Sequence, residues 1–565
     1  MLRAVFVLGI VAFIFFACIT NGFCEEQKAA PPNGMELLSE LLKAKGIISP
    51  EEAEALKAKI SGAETNESIK ALVELLKNKG LVSEGEAERL NQALAKKPTP
   101  AQAAAKTILV VPRDQEYVQK ITENVKTEVQ KDIHDQVQTQ VTEQANQGLL
   151  QGVIAPNLPD WLQKVQFSGD VRLRLAPYYF PKDNAKFIQD PFNPAQALNS
   201  TVDRMNEYLR LRLKMEANIN DEWALGVRLA TGDQTNPGSD NTILGNYFVK
   251  NGFLLDQAYL RYRPCTDLNI WAGRIPNPWF YTDLIWANDL NFEGIAANYK
   301  ADIDGSGLTA FLTGGVFPLQ DLNQESSLFS ASSHDKWLFG GQAGIEYKPD
   351  HEYSVKLGVA VYDYESITGV ENPPNLYIYN YTAPLYMQKG NTVFNLNGQT
   401  LGATTLYALA AEFRDLDVIG ALDISCWDPI HVIISGDYVK NIAFDAQKVS
   451  VLANRPVQDM QDYAYRAGLL VGYPAPRKCW QWNLFAYYKY VGTDSVVDAF
   501  DDQDFHLGGT NAKGWILGAE LGLMKNVWLT ARWFTADQIS PFQNSLPRDA
   551  PFSIDVFEFD TNASF

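Results

Sequence analysis

Long apolar stretches are almost missing from this 565-residue chain. The one sustained run, residues 4–18, is shorter than the roughly 20 residues that a membrane-spanning helix needs. It follows Met1-Leu2-Arg3 and is trailed by small residues at Thr20 and Gly22, so it reads as a secretory leader over residues 1–24. An exported chain without an apolar helix can enter a bilayer in one other way, as a closed barrel that satisfies all its backbone groups internally. Cysteine is scarce too. Beyond the leader only Cys265, Cys426 and Cys479 remain, too scattered to define a disulfide framework or a CxxC metal site.

Histidine occurs five times, as His134, His334, His351, His431 and His506, in segments far apart. Neither an HExxH motif nor a phosphate-binding glycine loop is present. Enzymatic chemistry is therefore not expected, nor is a cofactor or a metal. Positive charge is in the minority: 48 Lys and Arg against 67 Asp and Glu leave a net −19, which argues against nucleic acid as a partner.

What is present falls into three compositional regions. Residues 25–95 are rich in Ala, Leu, Lys and Glu and carry a repeat: Leu41-Leu42-Lys43-Ala44-Lys45-Gly46-Ile47-Ile48-Ser49 returns as Leu75-Leu76-Lys77-Asn78-Lys79-Gly80-Leu81-Val82-Ser83. Each copy predicts a helix stopped by Gly and a second helix opened by a Ser-x-x-Glu capping box, at Ser49/Glu52 and Ser83/Glu86. These helical hairpins read either as a module that contacts a periplasmic partner or as a plain spacer. Residues 96–106 are a Pro- and Ala-containing linker. Over 107–150 apolar residues recur every fourth position, at Ile121, Val125, Val129, Ile133, Val137, Val141 and Ala145. Such a stripe drifts about 40° per step on an α-helix, which fits a right-handed self-associating coil or a single amphipathic helix.

From residue 161 to 565 the period changes to two. Leu209, Leu211, Leu213 and Met215 alternate with Arg210, Arg212, Lys214 and Glu216; Val527, Leu529, Ala531 and Trp533 alternate in the same way. Side chains on a strand point alternately to opposite faces, so these segments have one apolar and one polar face. The connections between them alternate between short and long, as the periplasmic turns and external loops of a transmembrane barrel do. The predicted fold is a transmembrane β-barrel of about sixteen antiparallel strands behind an α-helical periplasmic region, with residues 406–425 taken as one long strand.

The chain resembles a family of bacterial outer-membrane porins that pair an N-terminal periplasmic coil with a barrel. The matching pieces run in order: Phe167-Ser168-Gly169-Asp170-Val171-Arg172-Leu173-Arg174, Gly273-Arg274-Ile275-Pro276-Asn277-Pro278-Trp279-Phe280, Gly436-Asp437-Tyr438-Val439-Lys440-Asn441, then Asp504-Phe505 and Gly514-Trp515. The resemblance spans about residues 114–565 and leaves the helical repeat outside it. The last nine residues alternate Phe557, Phe559, Thr561, Ala563 and Phe565 with Glu558, Asp560, Asn562 and Ser564. They resemble the closing strand of such barrels, in which Phe557, Phe559 and Phe565 would belong to the signal read by the barrel-assembly machinery. Outer-membrane lipid, lipopolysaccharide and two further copies in a trimer are the partners this resemblance implies.

With the apolar parity facing lipid, the opposite parity on the early strands is strongly basic: Arg172, Arg174, Arg210, Arg212, Lys214, Arg228, Arg261, Arg263 and Arg274. These would form a cationic pore wall, or else pair with acids such as Asp170, Glu216 and Glu346 and hold the barrel's shape. By resemblance, residues 276–290 occupy the place of a loop that folds into the pore. Asp283 and Asp289 on it would then stand opposite the basic wall and create a constriction; an ordinary external loop is the other reading. Asp498, Asp501, Asp502 and Asp504 predict an acidic external loop, binding divalent cations or simply solvated. Three functions compete: a diffusion channel for small hydrophilic solutes or ions, an envelope tether anchored by its barrel, and a channel specific for a sugar or an anion.

Overall fold

Period-two alternation becomes one continuous antiparallel sheet. The computed structural model describes residues 164–565 apart from 187–196, 304, 306, 323–333, 399, 401, 403, 458–460 and 542–550. The leader, repeat, linker and coil expected over 1–150 lie outside the described residues. Seventeen strands join in the sheet, one of them a two-residue addition, Thr242–Ile243, beside the second strand. The other sixteen are β1 Val165–Tyr179, β2 Arg204–Asn218, β3 Trp223–Ala230, β4 Leu254–Tyr262, β5 Leu268–Pro276 and β6 Asn291–Ile303. There follow β7 Leu308–Gln320, β8 Lys336–Tyr347, β9 Tyr353–Glu365, β10 Arg414–Trp427 and β11 Ile430–Asn441. The last five are β12 Tyr463–Gly472, β13 Trp482–Val491, β14 Ala512–Met524, β15 Val527–Gln538 and β16 Ser553–Ser564.

Each strand pairs with its sequence neighbours, and β16 pairs back onto β1, so the sheet closes without a free edge. At the seam Gly169 and Phe565 exchange backbone hydrogen bonds of 3.1 and 3.0 Å. The chain therefore ends on the rim that carries the short turns. One of those turns, at Lys525 and Asn526, reverses the chain in two residues, with Asn526 in the left-handed region at φ 59°. The opposite rim carries the long connections, including 231–253, 277–290, 366–413 and 492–511.

The outward parity is apolar and exposed around the sheet: Leu173, Leu213, Ile295, Leu312, Leu357, Val359, Val418, Ile434, Leu484 and Trp515 each present more than a third of their surface. An apolar belt of that extent belongs in lipid. The inward parity is polar and buried, as at Arg174, Gln342, Lys489 and Asp560. Where an inward aromatic faces a glycine across the ladder, as in Tyr259–Gly226, Phe311–Gly344 and Tyr487–Gly468, the ring occupies the space above the glycine and a Cβ there would collide with it.

Residues 406–425 are not one strand. Tyr407–Leu409 pairs with Val393–Asn395 in a separate small hairpin within the 366–413 connection, and the barrel strand starts at Arg414. The reason is local: Ala408, Leu409, Ala410 and Ala411 are all buried, so this stretch is apolar on both parities. A barrel strand needs one lumen face and one lipid face. Because the hairpin lies outside the main sheet, the strand count stays even.

Val359, in the middle of β9 with its side chain outward, should not tolerate charge. Val359→Arg is expected to cost about 2–4 kcal/mol, read as a lower urea midpoint for refolding into lipid vesicles, whereas Val359→Leu should leave the midpoint unchanged.

Candidate functional site

The functional site of a barrel is its lumen, and here the lumen is filled from one rim by several of the long connections. Among them is 231–253, whose Asp240 and Asn241 meet Arg212 and Arg172. The 277–290 connection turns inward because it is too apolar to stand in water: Trp279, Leu284, Ile285, Trp286 and Leu290 are all buried. Its indoles pack against the inner wall. The ring of Trp279 lies 5.2 Å from that of Tyr362 and 6.2 Å from that of Phe317, and Trp286 lies 5.0 Å from both Phe292 and Tyr362. Gln342 on β8 pins the loop backbone, accepting from Phe280 N at 2.8 Å and donating to Phe280 O at 2.7 Å. The 492–511 and 366–413 loops pack on the same cluster through Val496, Val497, Phe394 and Leu396.

Both acids of the inward loop are ion-paired. Asp289 accepts from Arg210 at 3.0 Å and Arg212 at 3.2 Å, and Asp170 on β1 bridges the same two guanidinium groups at 3.0 and 2.8 Å. Asp283 lies 2.7 Å from Arg466 Nε on β12, and its backbone carbonyl accepts from Lys489 on β13. The loop is thus tied at its middle to β12 and β13 and near its end to β2. Asp283 and Asp289 touch their cations directly and do not face a basic wall across an open gap. Burial opposes ionisation of Asp283, but Arg466 and Lys489 outweigh it and hold the carboxyl below its ordinary range. Asp289 behaves alike, with burial overcome by Arg210, Arg172 and Arg212.

The remaining basic residues are mostly spent on acids. Arg174, 2% exposed, binds Asp560 at 2.7 Å, Glu558 at 2.6 Å and Asp504 at 2.8 Å. Arg172 donates to Asn241 at 2.6 Å. Lys214 and Arg261 share Glu216 at 3.0 and 2.9 Å, and Arg228 pairs with Asp256. Arg274, at the long-loop end of β5, pairs with Glu293 at 2.7 Å. Arg263 falls beyond the end of β4, exposed on a short turn. Of the acids singled out as wall partners, Asp170 and Glu216 serve these arginines, while Glu346 stands near Lys356 at 3.7 Å. Phe557 and Phe559 point away from the lumen on β16, and Phe565 is exposed at the seam.

In the acidic 498–504 segment Asp498 and Asp501 are buried while Asp502 and Asp504 are half-buried, so it is not a solvated external loop. Asp498 is 1% exposed and Asp501 0%. Lys489 lies 3.2 Å from Asp502 and 3.6 Å from Asp501, while Asp504 reaches Arg174. Burial pushes the Asp498 carboxyl up to about 8. Among the described residues no group of acids, histidines or cysteines has a metal-binding arrangement. His431 meets Asp423 at 2.8 Å near a short turn, whereas His506 is buried beside Lys389, so these two histidines do not converge.

Arg466, Lys489 and Arg532 were not singled out by the sequence reading, although they sit on the same inward parity as the early-strand arginines. Arg532 joins the seam network through Asp560 at 2.5 Å. The signal for the inward loop was its apolar content, more than its two acids.

A family model described as "Putative porin" matches residues 35–565. That span includes the helical repeat, so the repeat is not an addition outside the family. No curated protein matches the chain by sequence. Among solved structures, OprB of Pseudomonas putida is similar with TM-score 0.41 and 10% identity, covering 72% of this chain and 96% of its own. The channel DcaP of Acinetobacter baumannii gives 0.38 and 11%, covering 71% and 97%. OmpF of Salmonella typhi, in complex with daunomycin, gives 0.35 and 12%, covering 71% and 97%.

Because both loop acids titrate below their ordinary range, the clamps contribute stability that is complete above about pH 4 and is lost as pH falls through the depressed values. Limited proteolysis should find the 277–290 loop equally protected at pH 7 and pH 5 and cut more readily in stronger acid. Asp283→Asn/Asp289→Asn should be cut readily at every pH. Arg174→Met leaves Glu558 and Asp560 short of a buried partner and should lower stability by about 3–5 kcal/mol, measured as a shift in the urea unfolding midpoint.

Proposed function

This chain belongs to the putative porin family, and we propose that its barrel is a narrow, charge-lined channel for passive diffusion of small hydrophilic solutes or ions. An outer-membrane channel follows from the family and from a closed sixteen-stranded barrel with an apolar outer belt. The observation that carries the finer reading is the inward loop, tied by Asp289 to Arg210 and Arg212 and by Asp283 to Arg466. A barrel that served only as an anchor has no need of a loop clamped inside it between two cationic groups. Fixed charges of both signs around a narrowed lumen favour polar solutes and orient them by their dipoles.

The residues counted as pore-lining are Arg172, Arg174, Arg210, Arg212, Lys214, Arg228 and Arg261, with Arg274 at the mouth. Most are neutralised by partners, so their part in selectivity is local, at Arg172 and along the edges of each pair. A homotrimer in lipid and lipopolysaccharide, assembled through the terminal Phe557, Phe559 and Phe565, fits this reading, with the N-terminal region on the periplasmic side. The reading is that of a channel without catalytic chemistry.

Purified full-length protein in a planar bilayer should give discrete conductance steps, and folded protein that gives none would end the proposal. Under a salt gradient, Arg210→Gln/Arg212→Gln should move the reversal potential toward cation preference. An unmoved potential would remove these two residues from the selectivity-setting part of the lumen.

A further inference from the structure

Three lumen cavities differ in charge. The one at the long-loop rim, about 710 Å³, carries Arg274 and Lys336 against Asp233, Asp240, Asp256, Glu293 and Asp498. A second, about 520 Å³ and on the β12–β16 side, carries Arg172, Arg466, Arg477 and Arg532 against Asp283, Asp502, Asp504, Glu520 and Asp560. The third, about 430 Å³, lies beneath the inward loop against β5–β9 and is lined by Lys300 and Lys356 and by no carboxylate.

The two lysines also have few acidic contacts. Lys356 has one acidic contact, a 3.7 Å approach to Glu346 between two partly exposed side chains. Lys300 has no ion pair among the described residues. Exposed pairs of that kind contribute little, so both ammonium groups are available to a mobile anion. The rest of the lining is apolar or neutral. Lys356 Nζ sits 4.5 Å from the Phe280 ring centre and 5.2 Å from that of Phe311, with Trp271 completing an aromatic wall. Asn298 donates to Thr313 at 2.7 Å and keeps a second amide hydrogen for a ligand. The wall is preorganised, since Gln342 holds Phe280 through both of its backbone groups.

We propose that this cavity is a lumen subsite for small organic anions with a flat apolar body, the simplest being an aromatic carboxylate. Lys300 and Lys356 both line the cavity, and each is a compact point charge that accepts the carboxylate without a fixed fork geometry. The ring lies against Phe280, Phe311 and Trp271. A cavity of this size suits a ligand of that class. Lys300 near the end of β6 and Lys356 near the start of β9 place the subsite toward the short-turn rim. The inference rests on the channel reading for the solute's route into the lumen, though not for binding itself.

Calorimetric titration of the full-length, detergent-folded protein with benzoate tests it, with benzamide and benzylammonium as neutral and cationic probes of the same shape. Saturable binding of benzoate alone is expected, weakened at least about tenfold in Lys300→Gln/Lys356→Gln and less in each single variant. Heat-modifiable migration on gels confirms that the variants are folded. Equal affinity in the double variant, equal binding of benzamide, or no benzoate binding would overturn the subsite. Single-channel recording on the same samples separates the two claims. Conductance without benzoate binding leaves the channel and removes the subsite; lysine-dependent binding without conductance leaves the subsite and removes the channel.

Discussion

Pairing of β16 with β1 is the constraint from which the rest of the structure follows. In lipid no water is available to an unpaired N–H or C=O, and each one left open costs several kcal/mol, so a sheet in a membrane must have no edge. The reciprocal bonds of Gly169 with Phe565 and the register from Asp170–Ser564 to Tyr179–Asp555 supply that closure. Side chains reinforce it, because the same register brings Glu558 and Asp560 beside Arg174. Once the sheet is closed, one parity must be apolar for lipid, and all remaining polarity must be accommodated inside.

Inside, the governing rule is that a buried charge needs a partner. Taking an ion out of water is repaid only by close opposite charge and satisfied hydrogen bonds. The lumen meets that requirement with its loops. Asp289 arrives on one loop to meet Arg210 and Arg212, Asp504 arrives on another to meet Arg174, and Lys489 joins the two loops through Asp283 and Asp502. Apolar anchors such as Trp279 and Trp286 supply the burial that holds the inward loop in place while the ion pairs set its position. The lysine-lined cavity under that loop stands apart because its wall holds no carboxylate.

Much of this was legible in the chain, and the misses have physical causes. Alternation identified the strands and the inward placement of Arg172, Arg174, Arg210 and Arg212, because parity is a property of adjacent residues. The same rule would have found Arg466, Lys489 and Arg532 had it been carried to the later strands. The chain leaves Asp283 and Asp289 open to an inward or an ordinary external loop and says nothing of their contacts, since a loop's path is set by what its apolar residues can bury. Residues 406–425 misled for the opposite reason: a run apolar on both parities fits a long strand and a buried hairpin equally well. Asp498, Asp501 and Asp502 read as solvated because nothing near them in the chain shows that a loop of the 366–413 connection covers them.

By itself the sequence determined the architecture. A barrel in place of helices, sixteen strands, an apolar outer face and a closing aromatic strand all follow from patterns within about ten residues, where backbone geometry and solvent preference act locally. Only the tertiary structure decided which charges remain available. Arg174 and Glu558 are 384 positions apart, and Arg174 and Asp504 are 330 apart, yet each pair is in contact. A local pattern assigns a side chain to a face, but its partner is chosen by closure of the ring and by the path of the loops through it. For that reason the early-strand arginines, which the alternation leaves open as a cationic wall or as partners of lumen acids, are largely neutralised, and Lys300 and Lys356 are the cations lining a cavity without a carboxylate in its wall.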